Sequence, residues 1–280
     1  MTLPISGHTQ LIAHLGVPTE SFKAPMIYNP WFQAAGIDAV VMPMGCEAAD
    51  FVTLLPLLAK LRNFRGALIT MPHKVSVVDL LAVASPTVLA CGACNAVRCT
   101  PDGGLEGDMF DGEGFVRGMQ RKGRAATGAS ALVVGAGGVG SAIAASLARA
   151  GVTRLGLFDT DAARVNGLAD RLRAHFPETR VETGSNDPDG WEIVVNATPM
   201  GMNPGDPLPL DTDRLSPDSF VGEVVMKSEA TPFLAAAAAR GCATQVGTDM
   251  LFEMIPAYLE FFDLPSTDPE TLRRLAQIRY

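Results

Sequence analysis

Ser130-Ala-Leu-Val-Val-Gly-Ala-Gly-Gly-Val-Gly-Ser-Ala-Ile-Ala-Ala-Ser-Leu-Ala-Arg149 decides the fold. A short apolar run of strand formers leads into three spaced glycines, and an Ala-rich helical stretch follows them. A second apolar run, Arg154 to Phe158, then ends in Asp159. Strand, glycine turn, helix, strand and acid is the order that a dinucleotide-binding unit requires. Gly135 permits a tight turn off the strand. Gly137 has no side chain to keep the backbone from a pyrophosphate, and Gly140 lets the helix pack closely on the sheet. The loop Gly135, Ala136, Gly137, Gly138, Val139 and Gly140 is therefore the expected cofactor cradle, with helix N–H groups facing phosphate. Asp159 stands where a carboxylate accepts both ribose hydroxyls and repels a 2′-phosphate. That favours NAD, while Arg164, able to pair with a phosphate, leaves NADP open.

The expected fold class is α/β in two domains. Residues 129–247 read as a Rossmann-type doubly wound parallel sheet. In it the strand Glu192 to Asn196 runs into Ala197-Thr-Pro-Met-Gly-Met202. Asn196, Thr198 and Met200 then lie at a strand's carboxyl end, beside the cofactor crevice. A further strand is expected over Val221 to Met226 and an Ala-rich helix over Pro232 to Arg240. Gly247 closes this domain. Residues 1–112 read as a smaller α/β domain, completed by residues 248–280, whose helix Met250 to Phe262 returns to it. Strands are expected at Thr9 to His14, Asp38 to Met42, Gly66 to Thr70 and Asn95 to Arg98. Helices are expected at Pro25 to Ala35, Ala49 to Lys60 and Val75 to Ala84, so this sheet is read as largely parallel. Arg117 to Arg124 reads as a linker or helix end.

Composition narrows the function classes. The 280 residues are 48% apolar, enough for two cores, and the net charge of −8 disfavours a nucleic-acid surface. No apolar run reaches membrane-spanning length, and the N-terminus lacks the pattern of a signal peptide. Five cysteines, an odd number, suit reduced thiols in the cytoplasm. Cys91-Gly-Ala-Cys94 reads as two packed small thiols in a turn rather than a redox pair. No Cys and His set has metal-ligand spacing, so no metal is expected. The expected partner is a small cyclic molecule, with neither nucleic acid nor membrane. A homodimer is left open.

Thr70-Met-Pro-His-Lys74 ends a strand, so Lys74 emerges on the side where open α/β sheets bind ligands. A lysine there can give a proton to a carbonyl as hydride arrives and take it back in reverse. A solvated lysine at a helix start would look the same. Asp111 can pair with such a lysine, or can cap the helix that follows it. Asp108 and Glu113 are competing carboxylates.

Together these segments resemble the shikimate/quinate dehydrogenase family over about His14 to Phe262. Gly16-Val-Pro18 with Pro25 and Asn29 resembles its N-terminal substrate loop. Thr70 to Lys74 resembles the segment of its catalytic lysine, and Gly92-Ala-Cys-Asn95 its substrate-binding asparagine turn. Asp111 falls on its catalytic aspartate. The glycine loop and Asn196 to Met202 resemble its cofactor motifs. Thr231-Pro-Phe-Leu234, and Gly247 with Met250-Leu251, resemble its last two. The resemblance implies reversible hydride transfer between a nicotinamide and a ring hydroxyl or ketone. Lys74 would be the acid/base and Asp111 its partner, with Thr70 and Asn95 binding substrate.

Several substrate positions depart from the pattern. The two serines with which the family loop holds the substrate carboxylate are Phe22 and Ala24, its Asn-Thr before the aspartate is Met109-Phe110, its tyrosine is Met226 and its glutamine is Met254. Each change removes a polar partner and supplies apolar surface, which favours a less polar ring over a polyhydroxylated acid. Lys23, Tyr28 and Lys227 are the candidates for a replacement anion anchor. The rival readings are an NAD-binding sensor without turnover, a dehydrogenase of a non-shikimate substrate, and oxidation at a C–N bond.

Overall fold

The computed structural model describes residues 5–226 and 231–279; Lys227 lies outside the described residues. The chain is α/β with two six-stranded sheets, and it divides into two compact units. Unit 1 comprises Met1–Val88, Ala93–Phe110 and Ile255–Tyr280, and unit 2 comprises Leu89–Gly92 and Asp111–Met254.

In unit 1, β1 (Gln10–Gly16), α1 (Pro25–Ala35), β2 (Ala39–Gly45), α2 (Ala48–Leu58) and β3 (Phe64–Ile69) alternate as the apolar runs predict. β1 is parallel to both β2 and β3. It lies between them and buries Ile12, Ala13 and Leu15 completely. The rest of the sheet departs from the parallel expectation. β4 (Val83–Ala84) is followed by α3 (Pro86–Cys91), β5 (Ala96–Cys99) and β6 (Leu105–Asp108), and the order is β2-β1-β3-β5-β6-β4. β5 runs antiparallel to β3 and β6; only five residues connect β5 to β6, too few for a crossover helix.

The helix expected over Val75 to Ala84 is not there. A 3-10 helix over Ser76–Leu80 takes its place, and the Ala82 N–H donates to the Leu105 carbonyl (2.8 Å). The β-branched Val75, Val77 and Val78 are poor helix formers, and pairing of β4 with β6 supplies the competing bonds.

The longer segment of unit 2 opens with α4 (Asp111–Arg121), whose end falls within Arg117 to Arg124, the stretch read as a linker or helix end. α4 packs along α5 (Gly138–Arg149), close enough that a Cβ at Gly112 would overlap the Ala142 carbonyl. For that reason residues 111–128 group with unit 2 rather than standing between domains. Around α5 come β7 (Ser130–Val134), β8 (Arg154–Phe158), α6 (Ala162–His175), β9 (Arg180–Thr183), β10 (Ile193–Asn196), β11 (Phe220–Glu223), α7 (Pro232–Ala239) and β12 (Ala243–Gln245). All six strands are parallel, in the order β12-β11-β10-β7-β8-β9. The order reverses between β7 and β10, a topological switch point whose strand ends form the ligand crevice of such sheets. The core on one face joins Leu132, Val134, Trp191, Val194, Val221 and Phe233.

α8 (Gly247–Phe261) starts in unit 2 and its last residues belong to unit 1, where α9 (Pro269–Leu275) packs on α1. Among the described residues no helix is long and apolar enough to cross a membrane, and no cluster of three metal-ligating side chains occurs.

Candidate active site

In unit 2 the glycine loop sits at the end of β7. The Gly135 N–H donates to the Phe158 carbonyl (2.7 Å) and the Ala197 N–H to the Val134 carbonyl (2.7 Å). The loop is thereby tied to the ends of both neighbouring strands. Gly140 meets the Gly135 carbonyl oxygen and the Ala197 side chain, so its closest neighbour is the loop itself rather than the sheet. Gly137, at the N-cap of α5, is different: a Cβ there would meet nothing within 4 Å. Open space above a Cβ-less residue, beside first-turn N–H groups that the helix cannot satisfy, fits a dinucleotide pyrophosphate.

Asp159 follows β8 directly. Its carboxylate accepts the N–H of Ala136 (2.7 Å) and of Asp161 (3.0 Å). Burial would raise its pKa, but those two backbone bonds, with the Arg164 guanidinium behind them, hold it below the ordinary carboxylate value. It is therefore an anion at the edge of the glycine loop. Arg164 is more than half exposed and lies 3.6 Å from Asp161.

The segment after β10 is organised by its own side chains. The Asn196 Oδ1 accepts the Thr198 hydroxyl (2.6 Å) and N–H (3.0 Å), and the Asn196 amide donates to the Met200 carbonyl (3.2 Å). Asn196 is thus a loop former, completely buried. Its register partner at the end of β11 is Glu223, also buried, which hydrogen-bonds the Asn196 and Thr231 side chains. Gly247 starts α8 against the Val224–Val225 backbone. Met226 is half-buried beyond β11, and Met254 is buried on α8 against Gly114.

In unit 1 the carboxyl ends of β1 and β3 meet. The Thr70 N–H donates to the Leu15 carbonyl (2.9 Å) and the Val17 N–H to the Met71 carbonyl (2.9 Å). This approach requires glycine at position 16, where a Cβ would collide with Thr70 and the Met71 carbonyl. Lys74 lies four residues past Thr70. Its carbonyl accepts the Cys94 N–H (2.7 Å), which fixes the lysine backbone to the turn before Asn95. His73 anchors the segment from beneath, stacked on Phe51 (4.0 Å) with its Nε2 2.7 Å from the Cys46 carbonyl. Asn95 is fully buried. Its Oδ1 accepts the Phe110 N–H (3.0 Å) and its carbonyl accepts the Tyr258 hydroxyl (3.2 Å), so part of its bonding capacity holds the chain ahead of Asp111.

The three competing carboxylates separate by environment. Asp108 accepts the Ser85 hydroxyl (2.5 Å) and the Met109 N–H (2.7 Å). Glu113 pairs with Arg117 and Arg149. Asp111 is buried at the start of α4, in unit 2.

The apolar replacements do not present the surface expected of them. Phe22 and Ala24 are 8% and 6% exposed. The Phe22 ring stacks on His14 (centroids 4.0 Å apart, 26° between planes). Met109 and Phe110 are buried as well, and Phe110 packs edge-on against Tyr258 and Phe261. Tyr28 is buried against Phe32 and Tyr258, out of reach as an anion anchor. The Lys23 ammonium donates to the Arg279 carbonyl (2.6 Å). His14 and His73 fall in no metal-ligand spacing, and the sequence assigns neither a role. For His14 the signal was an imidazole inside an otherwise apolar strand.

His14 and Glu223 make opposite contributions to acid stability. Burial first, and the Lys74 ammonium second, push the His14 pKa down to about 3. Unfolded, it titrates near 6.5, so between those values the unfolded chain binds the extra proton and stability rises with pH. Burial pushes Glu223 up to about 7, against the pull of its hydrogen bonds. Its ordinary value is 4.5, so the folded state holds the extra proton and stability falls as pH rises from 4.5 to 7. The two slopes oppose each other between 4.5 and 6.5. Relative to wild type, denaturant melts of Glu223→Gln are expected to gain stability with rising pH there, by up to about 1 kcal/mol per pH unit, and those of His14→Phe to lose it by a similar amount. Identical profiles for wild type and both variants would contradict this.

The comparisons with known proteins agree with this layout. A family model described as the shikimate dehydrogenase substrate binding domain matches residues 15–97, and one for the ThiF family matches residues 117–171. The shikimate dehydrogenase (NADP(+)) of Acidiphilium cryptum is 33% identical over 275 residues, 97% of this chain and 98% of that protein. The crystal structure of shikimate 5-dehydrogenase from Listeria monocytogenes, in complex with shikimate and NAD, superposes with a TM-score of 0.88 at 26% identity. It covers 98% of this chain and 99% of its own. Quinate dehydrogenase from Corynebacterium glutamicum, in complex with NAD, gives 0.85 at 32% identity, with coverage of 95% and 98%.

Proposed function

This chain belongs to the shikimate dehydrogenase family, and on that premise we propose that Lys74 and Asp111 serve its chemistry. The chain is an NAD(P)-dependent oxidoreductase of the shikimate/quinate dehydrogenase type, acting between a ring hydroxyl and the corresponding ketone. The bound nicotinamide supplies or accepts the hydride. Everything else is the work of side chains: Lys74 moves the proton at the reacting oxygen, Asp111 orients and partners it, and Thr70 and Asn95 position the ring. The supporting observation is local. The Lys74 backbone is pinned by Cys94 at the mouth of β3, while its neighbour His73 is locked by stacking, so the lysine stands on a rigid base.

Residues 135–140 hold the dinucleotide phosphates, and Asn196, Thr198, Met200 and Gly247 complete the crevice wall. We assign NAD as the preferred cofactor, from the anionic Asp159 at the glycine loop. A 2′-phosphate would meet that carboxylate, while ribose hydroxyls would donate to it. Asp159→Ser is expected to lower kcat/KM for NAD by about tenfold and to raise it for NADP, read as the ratio of the two. A wild-type enzyme that prefers NADP would contradict the assignment. A homodimer and a cytoplasmic location stay part of this reading. Sedimentation tests the first.

A further inference from the structure

We propose that His14 determines substrate specificity, forming with Phe22 a subsite for an uncharged hydroxyl or carbonyl group of a cyclic substrate where a carboxylate would otherwise be held. This rests on the dehydrogenase reading above and names the substrate class of that same site.

The place is defined within unit 1 alone. His14 lies two residues before the end of β1, next to Leu15 and Gly16, whose backbones carry the contact with Thr70 and Met71. The Phe22 ring covers one face of the imidazole and reaches to Gly16. The Lys74 ammonium is near enough to act on the imidazole electrostatically. The ring therefore stands among the residues to which the proposed function gives substrate.

His14 is 8% exposed, and its Nδ1 is buried with no hydrogen-bond partner among the described residues. An imidazole costs an apolar strand a great deal when nothing satisfies it, and Val or Leu would fill the position at no such cost. A group that the folded chain leaves unmet, beside the reacting lysine, is fitted to a partner supplied by substrate.

The chemistry selects an uncharged partner. Burial and the adjacent ammonium keep the imidazole neutral, with one donor and one acceptor nitrogen. That matches a hydroxyl, which both gives and takes a hydrogen bond. A desolvated carboxylate needs several donors, preferably charged. The positions that would hold it do not supply them: Phe22 and Ala24 have no polar side-chain atom, Tyr28 is packed away, Lys23 is engaged with the Arg279 carbonyl, and the exposed Ser21 hydroxyl donates to the Pro18 carbonyl.

The test compares acids with neutral counterparts of the same ring. Shikimate and quinate are assayed against their methyl esters, with NAD and NADP, using the full chain. The expected result is a kcat/KM for an ester at least about tenfold above that of its acid. His14→Phe, which keeps the stacking surface, is expected to lose about tenfold on the ester through KM, with kcat nearly unchanged. His14→Gln is expected to recover part of that loss, since its amide again offers a donor and an acceptor. Phe22→Ser is expected to shift preference toward the acid. Turnover of the acids in preference to the esters would overturn this inference and leave the dehydrogenase reading standing. No turnover of any of the four compounds would overturn both. A folded His14→Phe with unchanged KM for the ester would likewise overturn the role of His14.

Discussion

Lys74→Ala is expected to lower kcat by about a thousandfold while leaving KM and dinucleotide affinity nearly unchanged. Proton transfer by a positioned group contributes on this scale, and the substitution removes only the side chain. The backbone bond from Cys94 to the Lys74 carbonyl and the anchoring of His73 are untouched, so the segment keeps its shape. Asp111→Asn is expected to lose less, since it keeps the volume at the buried start of α4 and changes only the charge proposed to partner the lysine. If the two residues act as a unit, the double variant falls far short of the product of the single losses. Steady-state rates for the three variants and the wild type decide this. A Lys74→Ala enzyme with wild-type kcat would remove the lysine from the chemistry.

Gly140→Ala is expected to destabilise the chain by about 3 kcal/mol and to abolish measurable dinucleotide binding. The added methyl would overlap the Gly135 carbonyl oxygen and crowd the Ala197 side chain. Neither can step aside cheaply. The neighbouring N–H groups of Gly135 and Ala197 are bonded to the Phe158 and Val134 carbonyls, which fasten both segments to the sheet. Gly137→Ala separates folding from binding. Its backbone angles suit alanine and its Cβ would meet nothing, so the melt is expected to stay as it was. The methyl would still stand where the phosphates approach, and calorimetry is expected to show NAD affinity lowered about tenfold or more. Gly137→Ala with full affinity would place the pyrophosphate elsewhere.

The parts legible in the sequence are those where local chemistry and fold agree. The run from Ser130 to Asp159 reads as a strand, a glycine turn, a helix, a strand and an acid, and each is found in that place. Parallel strands buried on both faces leave continuous apolar runs, which a linear reading detects. The segments that misled are governed by partners distant in sequence. Residues 75–84 carry enough apolar residues for a helix, yet β6 claims Ala82 and β4 for the sheet edge. Arg117 to Arg124 reads as a linker or a helix end, because its positive charges pair on the outer side, Arg117 with Glu113 and Arg121 with Glu253 of α8 (3.1 Å), and the helix end is what is found. The buried side of α4 is built partly from Gly112, Gly114 and Gly118, which carry no helical signal.

The candidate site shows the same division. Gly135, read as a tight turn off its strand, announces itself by type, whereas Asn196, read as a crevice residue, shapes its own loop. The identity of a substrate partner does not. Phe22 reads as lost polarity, and only the structure shows its ring set against His14. The imidazole itself is a single polar residue in a short strand, and no spacing rule assigns it a neighbour.

The most direct measurement is the absorbance of reduced nicotinamide as the intact protein meets NAD and a panel of ring alcohols, acids and neutral compounds together. The expected signal saturates in both components and disappears when ketone and reduced cofactor are supplied in reverse. Calorimetric binding of NAD with no reduced nicotinamide from any ring alcohol would contradict it and leave a chain that holds the dinucleotide without using it.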